Sequence, residues 1–293
     1  MKKQLVLIHG RSQEFKRAQE LKGEWVDTLV KRLDQDNLKL PIPLEDVRFP
    51  YYGQTLFDLV DGVPDAAIPD VIIQGGEDTD ERDFLAGVAA EMQEVLEIDD
   101  AAVRAAAGTT AIEQGMQDWK WVHAVLHLID GRFKGASNFS VAAVTKDVYR
   151  YLRNPGLRDA IEEGVIKAFE PGVPTVVVGH SLGSVVAYNI LKREGKARGW
   201  EVPLFITVGA PLGVTMIRQS LRPIGHPACV QHWFNARDPR DVVALYELDR
   251  DHFGVTPAIE NKNDVDNWTP NRHSIAGYLS DPIVAHRIYE ALR

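Results

Sequence analysis

The chain has 293 residues, of which 45% are apolar and 26% are charged, a composition typical of a folded protein with a sizeable core. Its formal net charge of −9 argues against binding to a nucleic-acid backbone, because such binding needs a basic surface. Cys229 is the single cysteine, so an intrachain disulfide is excluded. The apolar run at residues 5–8 is too short for a signal-peptide core, and no stretch approaches the roughly 18 apolar residues of a membrane span. We therefore expect a cytoplasmic location.

Strand and helix patterns alternate near the start of the chain. The apolar run at residues 5–8 predicts a strand that is buried on both faces. Trp25, Leu29 and Leu33 recur at four-residue steps and predict a helix over residues 25–33. A second strand is predicted from Val47 onward.

Residues 78–169 carry helical patterns and no convincing strand. The predicted helices cover residues 84–96, 100–107, 119–129, 141–152 and 157–169. The helix at 119–129 is apolar around most of its circumference, which favours a packed helix over the alternative of a lid above an acyl pocket. We interpret residues 78–169 as a helical cap inserted into one domain that covers residues 1–293.

Strand patterns return after the cap. Strands are predicted at residues 175–178, 203–208 and 230–234, with a helix that runs through Lys192 after the first of them. Pro282 is expected to open the last helix, because proline's missing N–H costs nothing there. Together the elements predict an α/β protein with a mostly parallel sheet flanked by helices.

The segment Gly179-His180-Ser181-Leu182-Gly183 fits the pattern G-x-S-x-G and lies between a predicted strand and a predicted helix. A serine hydroxyl is a poor nucleophile unless it is exposed, oriented and deprotonated during attack. A sharp strand-to-helix turn lifts it out of the sheet, and the two glycines permit the close approach that this turn needs. The helix that begins there also presents N–H groups to a developing oxyanion. The pattern therefore predicts Ser181 as nucleophile and the Leu182 N–H as an oxyanion donor.

This segment resembles the nucleophile elbow of α/β-hydrolases, and the chain resembles the lipase-like branch that includes class 3 lipases and GPI-inositol deacylases. The matching segments are residues 7–10, 178–188, 207–213, 233–243 and 273–284. The resemblance implies the α/β-hydrolase fold and a triad in the chain order serine, acid, histidine. It also implies that the His9-Gly10 pair belongs to the second oxyanion element, with the Arg11 N–H as the second donor.

Two carboxylates follow the predicted strand at residues 230–234. Asp238 and Asp241 are both compatible with the spacing from the strand end. The pattern of the resembled family, an aspartate followed by two apolar residues, favours Asp241 as the triad acid. Asp238 is the alternative, and whichever is not the acid is expected to cap or brace the loop.

Three histidines follow this loop, namely His252, His273 and His286. His286 falls inside the predicted last helix, and His252 comes too soon after the acid to leave room for another strand. His273 lies on a polar loop just before the last helix, after a strand expected near residues 259–265. We therefore predict His273 as the general base.

Two weaker signals concern metals. His123 and His127 lie four residues apart on a predicted helix, but no glutamate stands between them as in H-E-x-x-H and no third ligand is evident. The acidic run at residues 77–81 lacks the spacing of a calcium loop. No metal and no organic cofactor is predicted.

The predicted function is hydrolysis of a carboxylic ester or thioester through an acyl-enzyme, on a small or lipid-like acyl substrate. One alternative is an acyltransferase that passes the same acyl group to an alcohol or amine. The other is a non-catalytic binding or signalling module that keeps the elbow only as scaffold. The sequence offers no prediction of a protein partner.

Overall fold

The computed structural model describes residues 2–10, 18–52, 79–107, 119–131 and 140–293. Its strands are β1 (Gln4–Ile8), β2 (Val47–Arg48), β3 (Thr175–His180), β4 (Val202–Val208), β5 (Val230–Ala236) and β6 (Glu260–Lys262). Its helices are α1 (Ala18–Gln35), α2 (Thr79–Val95), α3 (Asp100–Ala107), α4 (Trp119–Gly131), α5 (Val141–Arg153), α6 (Pro155–Ile166), α7 (Leu182–Glu194), α8 (Thr215–Ser220), α9 (Arg250–Phe253), α10 (Ile275–Leu279) and α11 (Pro282–Leu292).

The six strands form one sheet in the order β2-β1-β3-β4-β5-β6, and every neighbouring pair is parallel. All strands therefore end at the same edge of the sheet. The register places Ile8 beside Gly179, and His180 beside Val208. The loops that leave β1, β3, β4 and β5 consequently start next to one another.

Side chains of the central strands alternate between two apolar layers. In β1, Leu5 and Leu7 face the layer that contains α1, whereas Val6 and Ile8 face the opposite layer. This alternation is the two-residue period of a strand. Because both faces are covered, every residue of β1 and β3 is buried.

One face of the sheet is covered by the two ends of the chain. Helix α1 packs against α10 and α11, and α11 also contacts β3 and β4. Asp281 caps α11, because its side chain accepts hydrogen bonds from the N–H groups of Ile283 and Val284. Pro282 opens that helix, as predicted.

The other face carries α7 and, beyond it, the helical layer α2–α6. Helix α7 packs directly on β3, and α5 and α6 pack on α7. Helix α2 packs against α4, α5 and α8. Helix α4 buries Trp121, Val125 and Ile129 among other residues, so it is a packed helix.

A half-buried carboxylate on α2 and a buried one on α6 form hydrogen bonds with helices α8 and α7. Glu91 on α2 accepts hydrogen bonds from the Thr215 N–H (2.9 Å) and the Thr215 hydroxyl (2.9 Å) at the start of α8. Glu162 on α6 accepts from Arg193 (3.1 Å) and Asn189 (2.9 Å) on α7. Polar bonds therefore supplement the apolar packing at both contacts.

The predicted α/β class with its parallel, helix-flanked sheet is confirmed. The short helices α8, α9 and α10 were not predicted, because their six, four and five residues are too few to show a helical period. Parts of the predicted cap, including Asp78, and the start of the acidic run at 77–81 lie outside the described residues. Within the described ranges, no helix is both long and apolar enough to cross a membrane.

Candidate active site

Ser181 lies at the turn between β3 and α7 in a strained conformation. Its φ is 55° and its ψ is −128°, a region that side-chain-bearing residues rarely adopt. The glycines on either side allow the chain to pack this tightly. A Cβ at Gly183 would lie 2.1 Å from the carbonyl oxygen of Ile8, and one at Gly179 would lie 2.7 Å from the Cα of Ser184. The surrounding backbone therefore imposes the conformation of the serine.

The Ser181 side chain lies among the ends of three strands. The backbone N–H of Ser181 donates to the carbonyl oxygen of Val208 at the end of β4 (3.2 Å). A Cβ on Gly10, which follows β1, would lie 3.3 Å from the Ser181 hydroxyl oxygen. The side chain is buried, and its hydroxyl makes no hydrogen bond with any residue that the structure describes. Among the described residues, the backbone at the strand ends therefore positions the hydroxyl without a hydrogen bond to it.

His273 and Asp241 form a buried pair. The His273 Nδ1 lies 2.8 Å from Asp241 Oδ2, and the Val243 N–H donates to Oδ1 of the same carboxylate (2.9 Å). Burial raises the pKa of Asp241, but the charge of His273 and hydrogen bonds from His273, Tyr278 and Val243 outweigh burial and leave the pKa below its ordinary value. An ionised carboxylate can only accept, so Nδ1 of His273 carries a proton and Nε2 is the nitrogen that points away from the carboxylate.

Gly209 connects this pair to the serine. It follows Val208, the acceptor of the Ser181 N–H, and a Cβ on Gly209 would lie 3.2 Å from both Asp241 Oδ2 and His273 Cε1. Its φ of 57° also favours glycine. The edge of the imidazole therefore lies against the backbone that neighbours Ser181. A catalytic hydrogen bond that is not made in a free enzyme often forms only when the substrate binds.

His180 fixes the backbone of His273. Its ring lies 4.7 Å from the His273 ring, and its Nε2 lies 2.7 Å from the His273 carbonyl oxygen. Because a carbonyl only accepts, His180 Nε2 carries the proton. Burial first, and then the charge of His273, lower the pKa of His180 to about 3. The residue before the serine is therefore a neutral donor to the histidine loop.

Asp238, the alternative acid, has a different set of partners. Its carboxylate is fully buried and accepts from the Arg240 guanidinium (3.0 Å) and from the N–H groups of Arg240 (2.8 Å) and Asn267 (2.8 Å). Asn267 in turn donates to the carbonyl oxygen of Ser274, next to His273 (2.9 Å). The structure therefore places Asp241 against His273 and uses Asp238 to brace the loops on either side.

The other histidines considered from the sequence have different partners. His252 pairs with Asp249 (2.8 Å), and His286 pairs with Asp36 (2.8 Å). The rings of His123 and His127 stack on α4 with centroids 6.0 Å apart. In the described part of the chain, no group of three His, Cys, Asp or Glu side chains is arranged to hold a metal ion.

The loop after β1 is held by His9. The Tyr52 N–H donates to His9 Nε2 (3.1 Å), so the proton is on Nδ1, which donates to the carbonyl oxygen of Gly10 (2.7 Å). Burial lowers the pKa of His9 to about 4 and outweighs the opposing effect of the Gly10 bond, so the ring is neutral. Leu182 is the first residue of α7, where an N–H has no acceptor within the helix. Arg11, the other predicted oxyanion donor, lies outside the described residues.

The sequence did not predict the contacts that His180, Gly209 and Tyr278 make with His273 and Asp241. His180 stands inside the G-x-S-x-G pattern, and Gly209 stands inside a segment already noted for its resemblance, so both carried a signal. Tyr278 lies on a five-residue helix, where neither spacing nor motif marks it.

Comparison of the chain with protein-family models, with curated proteins and with solved structures gave no match. A proposal about function therefore rests on the arrangement of the chain's own residues.

Proposed function

We propose that the protein is a serine hydrolase of the α/β-hydrolase fold that cleaves a carboxylic ester or thioester. One observation carries the proposal: a buried histidine whose Nδ1 is 2.8 Å from an aspartate lies against Gly209. Gly209 directly follows the residue that accepts the N–H of a strained serine at a strand-to-helix turn. A buried imidazole oriented by an ionised carboxylate is the arrangement that activates a serine hydroxyl. A lipid-like acyl group and a small one are both compatible with it.

In the first half of the reaction, the Ser181 hydroxyl attacks the carbonyl carbon while His273 Nε2 takes its proton. The tetrahedral intermediate collapses, the bond to the alcohol or thiol breaks, and this leaving group takes the proton from His273. An acyl-enzyme remains on Ser181. In the second half, His273 removes a proton from water, the hydroxide attacks the ester, and the acid leaves as Ser181 regains its proton.

The negative charge of the intermediates falls on the former carbonyl oxygen. The Leu182 N–H at the start of α7 is the donor proposed for it, with the Arg11 N–H as the second. The His9 bonds hold the end of β1 next to this place. Loss of one such donor typically costs about 10²–10³ in turnover. Because the triad supplies nucleophile and base, the reaction requires no metal or organic cofactor.

The proposal is tested with a fluorophosphonate probe and a series of p-nitrophenyl esters of increasing acyl length. Wild-type protein is expected to be labelled at Ser181 and to hydrolyse at least one ester, and Ser181→Ala to lose about 10⁴-fold or more of the turnover. Ser220→Ala on α8 is the matched control, since its hydroxyl donates to the carbonyl oxygen of Met216 in the same helix (2.9 Å).

Folded wild-type protein that neither reacts with the probe nor turns over any ester would refute the proposal and favour a non-catalytic module. Addition of an alcohol acceptor distinguishes a hydrolase from an acyltransferase. Faster formation of the new ester than of the free acid would identify an acyltransferase that uses the same acyl-enzyme.

A further inference from the structure

Tyr278 on α10 contacts the carboxylate of the proposed triad. Its hydroxyl lies 2.6 Å from Asp241 Oδ2, the oxygen that also lies 2.8 Å from His273 Nδ1. The tyrosine side chain is fully buried at 0% exposure. It therefore lies behind the acid, away from solvent.

The direction of this hydrogen bond follows from the neighbours of the hydroxyl. The Asp238 N–H donates to the Tyr278 oxygen (3.3 Å), so the single hydroxyl proton is left for Asp241. Burial, followed by the charge of Asp241, holds the pKa of Tyr278 well above its ordinary value. The hydroxyl is thus a permanent donor at any pH at which the triad operates.

Hydrogen bonds to both oxygens hold the Asp241 carboxylate in one orientation. Oδ1 accepts from the Val243 N–H (2.9 Å), and Oδ2 accepts from both His273 and Tyr278. Two donors on one oxygen share its negative charge. The strength with which Oδ2 holds the imidazole N–H therefore depends on the phenol beside it.

We propose that Tyr278 is a positioning residue of the triad, which fixes the rotation of the Asp241 carboxylate and weakens the hydrogen bond that the carboxylate accepts from the His273 N–H. This inference rests on the proposed function. Without the hydroxyl, the carboxylate can pivot about its Oδ1 bond, and the imidazole moves with it. Because a displacement of about 1 Å at a catalytic group costs about 10²-fold in rate, loss of Tyr278 is expected to reduce kcat about 10- to 100-fold.

The test is Tyr278→Phe, which removes one oxygen atom and keeps the ring. We expect kcat for a p-nitrophenyl ester to fall about 10- to 100-fold with KM unchanged, because the buried tyrosine does not reach the substrate. We also expect the proton NMR resonance of His273 Nδ1–H to move downfield, since Oδ2 loses its competing donor. In an Asp241→Asn background, the same substitution should have no further effect on kcat.

Tyr188→Phe is the matched control. Tyr188 is also fully buried, and its hydroxyl bonds to the backbone of Gly225 (3.1 Å), outside the triad. This variant is expected to lose stability but to keep kcat and the Nδ1–H resonance. Equal losses of kcat in the two variants, or an unmoved resonance in Tyr278→Phe, would overturn the inference.

The two proposals fail in different ways. If wild-type protein shows no esterase activity, the proposed function fails, whereas the resonance still reports whether Tyr278 acts on the Asp241–His273 pair. If wild-type protein is active and Tyr278→Phe is as active, the proposed function stands and the inference about Tyr278 is wrong.

Discussion

The loops at the carboxyl edge of the sheet and the helical layer α2–α6 are held by different kinds of contact. At the sheet edge, backbone packs on backbone: a Cβ at Gly183 would lie 2.1 Å from a carbonyl oxygen. In the helical layer, side chain packs on side chain: a Cβ at Gly87 on α2 would lie 2.8 Å from the side-chain Cγ of Met216 on α8. Side chains can repack when a neighbour changes, but a backbone contact cannot. The sheet edge therefore holds its residues in fixed positions, whereas the helical layer can accommodate changes of side chain.

The largest expected effect tests the two aspartates of the sheet edge. Asp241→Asn should reduce kcat about 10⁴-fold, because an amide no longer holds the tautomer that leaves His273 Nε2 basic. Steady-state kinetics on the best p-nitrophenyl ester measure this loss.

Asp238→Asn is the matched control, since it makes the same chemical change three residues away. It should mainly lower the free energy of unfolding, because a neutral amide replaces the buried carboxylate that accepts from the exposed Arg240 guanidinium and from two backbone N–H groups. If Asp238→Asn shows the large kinetic loss and Asp241→Asn does not, the assignment of the acid is reversed.

The second prediction compares glycines of the two regions directly. Gly183→Ala is expected to destabilise the protein by about 3 kcal/mol or more, since its methyl group has to displace the end of β1. Gly164→Ala, inside α6 and in open space, is expected to stabilise it by about 0.5–1 kcal/mol. Urea unfolding measures both. Comparable free energies of unfolding for the two variants would show that backbone packing does not hold the turn at Ser181 in place.

The difference between contacts within one helix or turn and contacts across the sheet edge also decides what could be predicted from the sequence. The buried strands and the four-residue periods of α1 and α6 are local patterns, and so is the glycine–serine–glycine turn, because each depends on neighbours along the chain. The choice between Asp241 and Asp238 depends on which carboxylate reaches His273 across the sheet edge, and spacing along the chain leaves that open. The contact of Tyr278 with Asp241 spans 37 residues and has no local signature.

The third prediction concerns acid sensitivity, which the two neutral histidines of the sheet edge should confer. Their pKa values in the folded state, about 4 for His9 and about 3 for His180, lie below the ordinary 6.5. The unfolded chain therefore binds more protons than the folded one in that interval. Stability is full above pH 6.5 and falls as the pH drops toward 4, by up to about 1.4 kcal/mol per pH unit for each histidine.

His180→Gln is expected to remove one of these two contributions. Its plot of unfolding free energy against pH, measured with urea from pH 4 to pH 8, should be shallower below pH 6.5 than that of wild-type protein. His9→Gln should show the same change, and the double variant a larger one. An unchanged slope in His180→Gln would mean that the imidazole is not held neutral by the fold.

The smallest expected effect tests the polar contact between the helical layer and the rest of the chain. Glu91→Gln replaces a carboxylate that accepts two hydrogen bonds from Thr215 with a neutral amide that forms weaker ones. The free energy of unfolding should fall by about 1 kcal/mol. Glu94→Gln, on the exposed side of the same helix, is the control and should change stability by less than about 0.5 kcal/mol.

Turnover of a short ester by Glu91→Gln should stay at the wild-type level, because the hydrogen bonds that hold Asp241 and the His273 backbone come from residues of the sheet edge and from α10. Hydrogen exchange should speed up in α2 and α8 and leave β3 unchanged, since the Glu91–Thr215 bonds join α2 to α8. Faster exchange at β3, or lost turnover, would show that the helical layer and the sheet edge are coupled more tightly than their contacts indicate. The distinction between a fixed sheet edge and an adaptable helical layer would then have to be abandoned.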